Sequence, residues 1–177
     1  MKFGTIETDR LRLRQVRGSD AASVAALVTP SVSQWTATWP PEISVEDARS
    51  RIKAAIQARE TGLAATFAIE NKADGTLLGW AGIHRKEFDH KRWSLGYWIG
   101  EQFHGRGYMS EAGKAIIGLS WSLLGADVIE AAAQPENAAS IAILKKLGMG
   151  FAGQKMIFAP ARNRDELCVL YEISRPL

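Results

Sequence analysis

The chain has 177 residues, 46% of them hydrophobic and 23% charged, a balance that fits one folded domain with a sizeable core and excludes disordered, collagen-like and fibrous chains. Its net charge of +3, from 22 basic and 19 acidic residues scattered along the chain, offers no basic tail for a nucleic-acid partner. No apolar run approaches the roughly 20 residues of a membrane span, residues Met1 to Glu7 lack a signal peptide's apolar core, and one cysteine with three histidines leaves no intrachain disulfide and no zinc set. A cytoplasmic protein without metal, with Cys168 in its core, is the expectation.

Arg10 to Arg14 alternates arginine with leucine, the period of a half-buried strand. Ser19-Asp20 then offers a helix cap for Ala21 to Val28, a run that closes at Thr29-Pro30. A loop with Trp35 and Trp39 follows, ended by Pro40-Pro41. Ser44 with Asp47 resembles a capping box, and Val45, Ala48, Ile52, Ala55 and Ile56 recur at helical spacing until Gly62. Thr66 to Glu70 and Leu77 to His84 read as strands joined by a hairpin at Asp74-Gly75, and Trp93 to Ile99 as a further strand.

Ala112, Ile116, Leu119 and Leu123 then mark one face of an amphipathic helix that ends before Gly125. Val128 to Ala133 reads as a strand, Pro135-Glu136-Asn137 as a turn, and Ala138 to Leu147 as a helix stopped by Gly148. Phe151 to Ala159 and Leu167 to Ile173 close the chain as strands, flanking a charged hairpin tip from Pro160 to Glu166 that reads as solvated. With no repeat or linker, the order belongs to one mixed α/β unit over residues 1–177.

Gln102-Phe103-His104-Gly105-Arg106-Gly107-Tyr108-Met109-Ser110 lies between a predicted strand and the clearest predicted helix. Glycines at i and i+2 let backbone N–H groups converge on one concavity, and the helix start adds unpaired N–H groups and its positive dipole end. Such a turn suits a phosphate, although taken alone the segment also reads as an ordinary tight turn. The third glycine of a dinucleotide fingerprint is missing, and no Gly-Lys-Ser/Thr ending marks a nucleoside triphosphate loop.

In context, this Gln-x-x-Gly-x-Gly turn between strand and helix resembles the acetyl-CoA pyrophosphate loop of the GNAT acetyltransferase superfamily. The preceding Leu95-Gly96-Tyr97-Trp98-Ile99-Gly100 is similar to the fourth strand of its RimJ/RimL-type branch, which acetylates ribosomal-protein N-termini and related amines. The segment from Gln134 to Met149 resembles that branch's Asn-x-x-Ser helix and Lys-Leu-Gly-Phe exit, here with Met149 in place of Phe. The resemblance implies a central mixed sheet of about seven strands flanked by about four helices, with the fourth and fifth strands splayed so that pantetheine lies between them like an added strand.

It further implies that Trp98 and Ile99 offer backbone groups to pantetheine, and that the diphosphate sits on N–H groups from His104 through Gly105, Arg106, Gly107, Tyr108 and Met109 to Ser110. Gln102 opens this motif and Arg106 adds a charge. Asn137 is placed near the pantetheine arm, a plain helix cap being its other reading, and Ser140 beside the thioester sulfur. The reaction implied is direct attack of an amine on the thioester, with a backbone N–H stabilising the oxyanion and no metal. Many members of the branch carry a glutamate base where this chain has Ser94, and members with a tyrosine acid carry it at the position of Leu144. Ser140 is left as the acid candidate and Glu130 leads the replacement bases, with His84, Glu101 and a water wire as alternatives.

Trp35, Trp39, Trp80 and His84 fall where this fold recognises its acceptor and suit an aromatic pocket for an amine or a peptide terminus, core packing being the other reading of Trp80. The reading that results is an acetyl-CoA-dependent N-acetyltransferase acting on a protein N-terminal or other primary amine. A polyamine or antibiotic acetyltransferase and a weakly catalytic acyl-CoA-binding sensor module are the alternatives. Neither nucleic acid nor membrane is an expected partner, and a homodimer is, since dimers are common in the family.

Overall fold

In the computed structural model, which describes residues 4–176, the alternation that starts at Arg10 buries Leu11 and Leu13 completely and turns Arg12 and Arg14 aside. Part of the N-terminal reading falls on residues 1–3 and lies outside the described chain. The strands are β1 (Ile6–Glu7), β2 (Leu11–Gln15), β3 (Ala64–Asn71), β4 (Leu77–Arg85), β5 (Arg92–Ile99), β6 (Val128–Ala133), β7 (Gly150–Ala159) and β8 (Arg164–Ser174). The helices are α1 (Ala21–Leu27), α2 (Pro30–Ser33), α3 (Val45–Glu60), α4 (Tyr108–Leu123) and α5 (Ala138–Lys146), with short 3-10 turns at Gly18–Asp20 and Glu101–Phe103.

Among the described residues this is one strand and one helix more than expected. β1 has two residues, too few for a period to register, and α2 is a single turn opened by Pro30 inside the segment read as loop. Ser44 and Asp47 form the capping box of α3 as read. Asp20 does not cap α1: its carboxylate accepts from Arg14 at 2.8 Å and from the Arg17 N–H at 2.9 Å. Arg14 also bonds the buried Glu70, so these buried charges are paired across β2, β3 and the turn.

The eight strands form one sheet in the order β1-β2-β3-β4-β5-β6-β8-β7, antiparallel except between β5 and β6. That parallel pairing covers only Arg92, Trp93 and Ser94 against Val128, Ile129 and Glu130. Beyond it the two strands part, and β6 runs on paired with β8 through Ala133. The expected fourth and fifth strands are thus β5 and β6, and the implied splay is present.

Side chains alternate across a strand, and two cores result. On one face Ile83, Trp93, Leu95 and Ile99 pack against Met109, Ala112 and Ile116 of α4 and Leu144 of α5. On the other, Ala68, Trp80 and Trp98 pack against Val24 and Leu27 of α1, Ala48 and Ile52 of α3, and Trp39. Each fully buried Ile, Leu or Phe contributes about 2 kcal/mol relative to exposure. The cores hold the two helical layers rigidly on either side of the splay.

Candidate active site

The turn between β5 and α4 takes its shape from two glycines. Gly105 and Gly107 have φ of 75° and 77°, in the left-handed region that a residue with Cβ adopts only at a cost. Gly107 is the N-cap of α4, and no side chain caps that end. The backbone N–H groups of residues 105–110 bond no backbone carbonyl among the described residues. A helix start with its N–H groups unclaimed and its glycines free of side chains fits a phosphate.

This turn is tied to the sheet from beneath. Arg10 donates to the Arg106 carbonyl at 3.0 Å, stands over the Tyr108 ring at 4.7 Å, and pairs with Glu111 at 2.7 Å. Glu111 also accepts from the Thr8 hydroxyl at 2.6 Å and the Arg10 N–H at 2.9 Å. These bonds hold the Glu111 carboxyl below its usual range, against the desolvation that would raise it. Arg10 and Glu111 thereby position the turn, a role that sequence reading missed because their partners lie on another element.

A cavity of about 660 Å³ opens beside the turn and passes through the sheet at the splay. Its wall takes residues from both faces of β5, with Gly96 and Trp98 on the α1–α3 side and Tyr97 and Ile99 on the α4–α5 side. Two bonds bracket the β4–β5 ladder, Lys86 N–H to the Arg92 carbonyl and Gly100 N–H to the Leu78 carbonyl, each 2.9 Å. Backbone groups along an antiparallel strand alternate between its two neighbours. The even-numbered residues of β5, Trp98 among them, are therefore committed to β4, and Leu95, Tyr97 and Ile99 turn their backbone toward the gap.

The expectation that Trp98 offers its backbone to a ligand is corrected accordingly, since that backbone is spent on Trp80 of β4. The Ile99 carbonyl is also taken, by His104 Nε2–H at 2.7 Å. A carbonyl only accepts, so the proton sits on Nε2. The Leu95 N–H closes the last rung of the parallel ladder on the Glu130 carbonyl, so the Leu95 carbonyl, both backbone groups of Tyr97 and the N–H of Ile99 are left facing the gap.

On the α4–α5 side, the Asn137 side chain accepts from the Ser140 N–H at 3.0 Å, capping α5 while lining the cavity. The Ser140 and Tyr97 hydroxyls are hydrogen-bonded at 2.9 Å. Burial pushes the Tyr97 phenol up to about 12 although the bond to Ser140 pulls it down, so it stays protonated. On the other side, Trp39 meets Trp80 and Trp98 edge-on, with ring centroids 5.4 and 5.3 Å away, and Trp35 is more open at 38% exposure. Trp80 is both core and cavity wall. A Cβ on Gly96 would meet nothing within 4 Å, so the sheet presents open space there.

Residues 10–150 match the acetyltransferase (GNAT) domain family. The chain is 32% identical over 149 residues to the uncharacterized N-acetyltransferase YoaA of Bacillus subtilis (strain 168), covering 82% of each. The chain belongs to the GNAT acetyltransferase family. It is also 29% identical over 161 residues to the uncharacterized N-acetyltransferase p20 of Bacillus licheniformis, covering 90% of each. In fold it is similar to RimL, the ribosomal L7/L12 alpha-N-protein acetyltransferase in complex with coenzyme A, with a TM-score of 0.84 at 19% identity, covering 97% of this chain and 98% of that one. Acetyl-CoA is the acetyl donor of GNAT enzymes, and no helix among the described residues is long and apolar enough to cross a membrane.

Within this GNAT fold the structure separates the residues singled out by sequence. His84, Trp35, Trp39, Trp80, Ile99, His104, Gly105, Gly107, Tyr108, Met109, Ser110, Asn137 and Ser140 all line the cavity. Gln102 and Arg106 are exposed and stand outside the lining, as does Glu101. Glu130 lies outside as well: Lys86 holds it at 2.8 Å and Arg92 approaches at 3.7 Å. It sits at the last paired position before the splay, and its carboxylate is engaged as an ion-pair partner, which corrects the expectation that it serves as base.

The hairpin tip also departs from its reading. Arg162 and Glu166 turn inward and line the cavity. Arg162 donates to the Ser33 and Thr36 carbonyls at 2.9 and 3.0 Å and grips Glu166 with two bonds of 2.6 Å. Arg164 and Gln134 add bonds of 2.9 and 2.6 Å. Arg162 foremost holds the Glu166 carboxyl down to about 2 despite opposing desolvation. Cys168 lines the same cavity, and burial pushes its thiol up.

Proposed function

We infer that this N-acetyltransferase, working in the cytoplasm as one domain over residues 1–177, transfers the acetyl group of acetyl-CoA to a primary amine whose neighbouring groups are uncharged, a protein N-terminal amine fitting best. The observation that carries this reading is a cavity through the sheet whose sole lining carboxylate among the described residues, Glu166, already accepts four hydrogen bonds. A polyamine or aminoglycoside needs free carboxylates for its several ammonium groups. The tryptophan wall suits an amine borne on an apolar or peptide body.

When bound, acetyl-CoA supplies an acetyl group activated as a thioester. The N–H groups of residues 105–110 hold its diphosphate, and the Leu95 carbonyl and the Tyr97 backbone with the Ile99 N–H take the pantetheine arm and offer a donor to the developing oxyanion. Ser140 donates to the departing sulfur. Proton transfer from a tyrosine at about 12 to a thiolate of ordinary pKa, about 8.5, runs uphill, so Tyr97 orients Ser140 and the pair stabilises the thiolate by hydrogen bonding. Transfer is direct: the chain's one cysteine is buried with its thiol pKa raised, which disfavours the thiolate an acyl-enzyme requires.

Calorimetry with acetyl-CoA, followed by thiol release against an alanine-initiated peptide, spermidine and kanamycin, tests the reading. Micromolar binding and release with the peptide alone is expected. Gly107→Val should weaken acetyl-CoA binding at least tenfold by straining the turn, and Gly96→Val should keep that affinity while abolishing transfer. Binding without release for any amine would favour an acyl-CoA-binding sensor, and preference for spermidine would overturn the acceptor class.

A further inference from the structure

We propose that His84 is the general base of acetyl transfer, its imidazole seated over Gly82 and facing the acceptor amine across the open backbone at Gly96; this rests on the acetyltransferase reading above. In the β4–β5 register His84 stands opposite Ser94 and Gly82 opposite Gly96, so all four share the α1–α3 face of the sheet with Trp80 and Trp98. His84, Gly82, Ser94 and Gly96 line the cavity. A Cβ on Gly82 would lie 2.8 Å from His84 Cε1, so the missing side chain is what lets the ring lie back along the strand. The neighbouring Gly96 leaves its own side of the sheet empty. Two adjacent glycines thus make a window, with an imidazole at its rim and the splay beyond it.

The chemistry is divided by the sheet. Ser140 and Tyr97 lie on the α4–α5 side, where the sulfur departs, and His84 lies on the side from which an amine arrives. The amine lone pair forms the C–N bond, His84 takes the N–H proton, and the C–S bond breaks with its electron pair leaving on sulfur. The imidazolium returns its proton to water, from which the thiolate takes one, so atoms and charges balance.

Solvent reaches His84 from the cavity, yet the surrounding walls desolvate it and lower its pKa below the ordinary 6.5, with the Ser94 backbone pulling the other way. The ring is then neutral at physiological pH, as a base must be. Among the titratable groups lining the cavity on this side, Arg162 and Glu166 of the β7–β8 hairpin are paired with each other, and Cys168 of β8 is a buried thiol. Through the splay stand Tyr97, His104 and Tyr108.

The test compares wild type, His84→Gln, His84→Ala and Gly82→Ala with acetyl-CoA and an alanine-initiated peptide. His84→Gln is expected to lower kcat/KM at least a hundredfold with acetyl-CoA affinity unchanged, and to reduce the slope of log kcat/KM against pH in the acid limb from two to one, the remaining slope being the peptide's own α-amino group, of ordinary pKa about 7.7–8.0, losing its proton. Added imidazole should partly restore His84→Ala. Gly82→Ala, which displaces the ring, should lower kcat with little change in either KM. A His84→Gln enzyme with wild-type kcat and pH profile would overturn the assignment while leaving the acetyltransferase reading standing. A wild type that binds acetyl-CoA yet acetylates no amine would overturn that reading and the assignment together.

Discussion

The 2.9 Å bond between Ser140 and Tyr97 concentrates the hydrogen-bonding power of the α4–α5 side at one point. Ser140→Ala is expected to lower kcat roughly 10- to 100-fold, the worth of a hydrogen bond to a charged group, with acetyl-CoA affinity nearly unchanged; stopped-flow and calorimetry check the two halves separately. Equal rates would return Ser140 to the first turn of α5 as a structural residue. Ser140 was legible in the sequence because it stands a fixed distance from its capping Asn137, both on one local motif. Tyr97 was legible as part of a strand but not as the partner of Ser140, since β5 and α5 meet only after the sheet is built. Glu130 was misplaced for the same reason: its ion pair with Lys86 crosses 44 positions of chain, and no local spacing reports it.

At the scale of elements, the β7–β8 hairpin and the segment after α2 are joined by Arg162, which reaches the Ser33 and Thr36 carbonyls, and by the Ala161 N–H on the Ala37 carbonyl at 3.0 Å. Glu166 neutralises Arg162, so the joint depends on its ionisation. With its folded pKa depressed from 4.5 to about 2, Glu166 contributes stability that is fully present above about pH 4.5 and is lost as pH falls toward 2. Glu166→Gln should be less stable than wild type at pH 7 in urea unfolding, and the gap should close between pH 4.5 and 2. A gap that does not change with pH would mean that the carboxylate is not what holds the joint. A tip rich in charge reads as solvated because charged side chains usually are; here backbone carbonyls more than 120 positions away draw the guanidinium inward.

Across the whole molecule, the order of strands and helices was readable because periodicity and breakers are local, and the sheet follows that order as far as β6, with β8 then lying between β6 and β7 and one parallel neighbour pair in all. The gap at that pair, which no local pattern in the sequence marks, makes the sheet a partition with a doorway. Two ligands that enter a doorway from opposite rooms need not wait for each other to leave. Steady-state kinetics should therefore show intersecting double-reciprocal lines, coenzyme A competing with acetyl-CoA and remaining noncompetitive toward the amine, whereas parallel lines would mean that donor and acceptor take turns in one shared space.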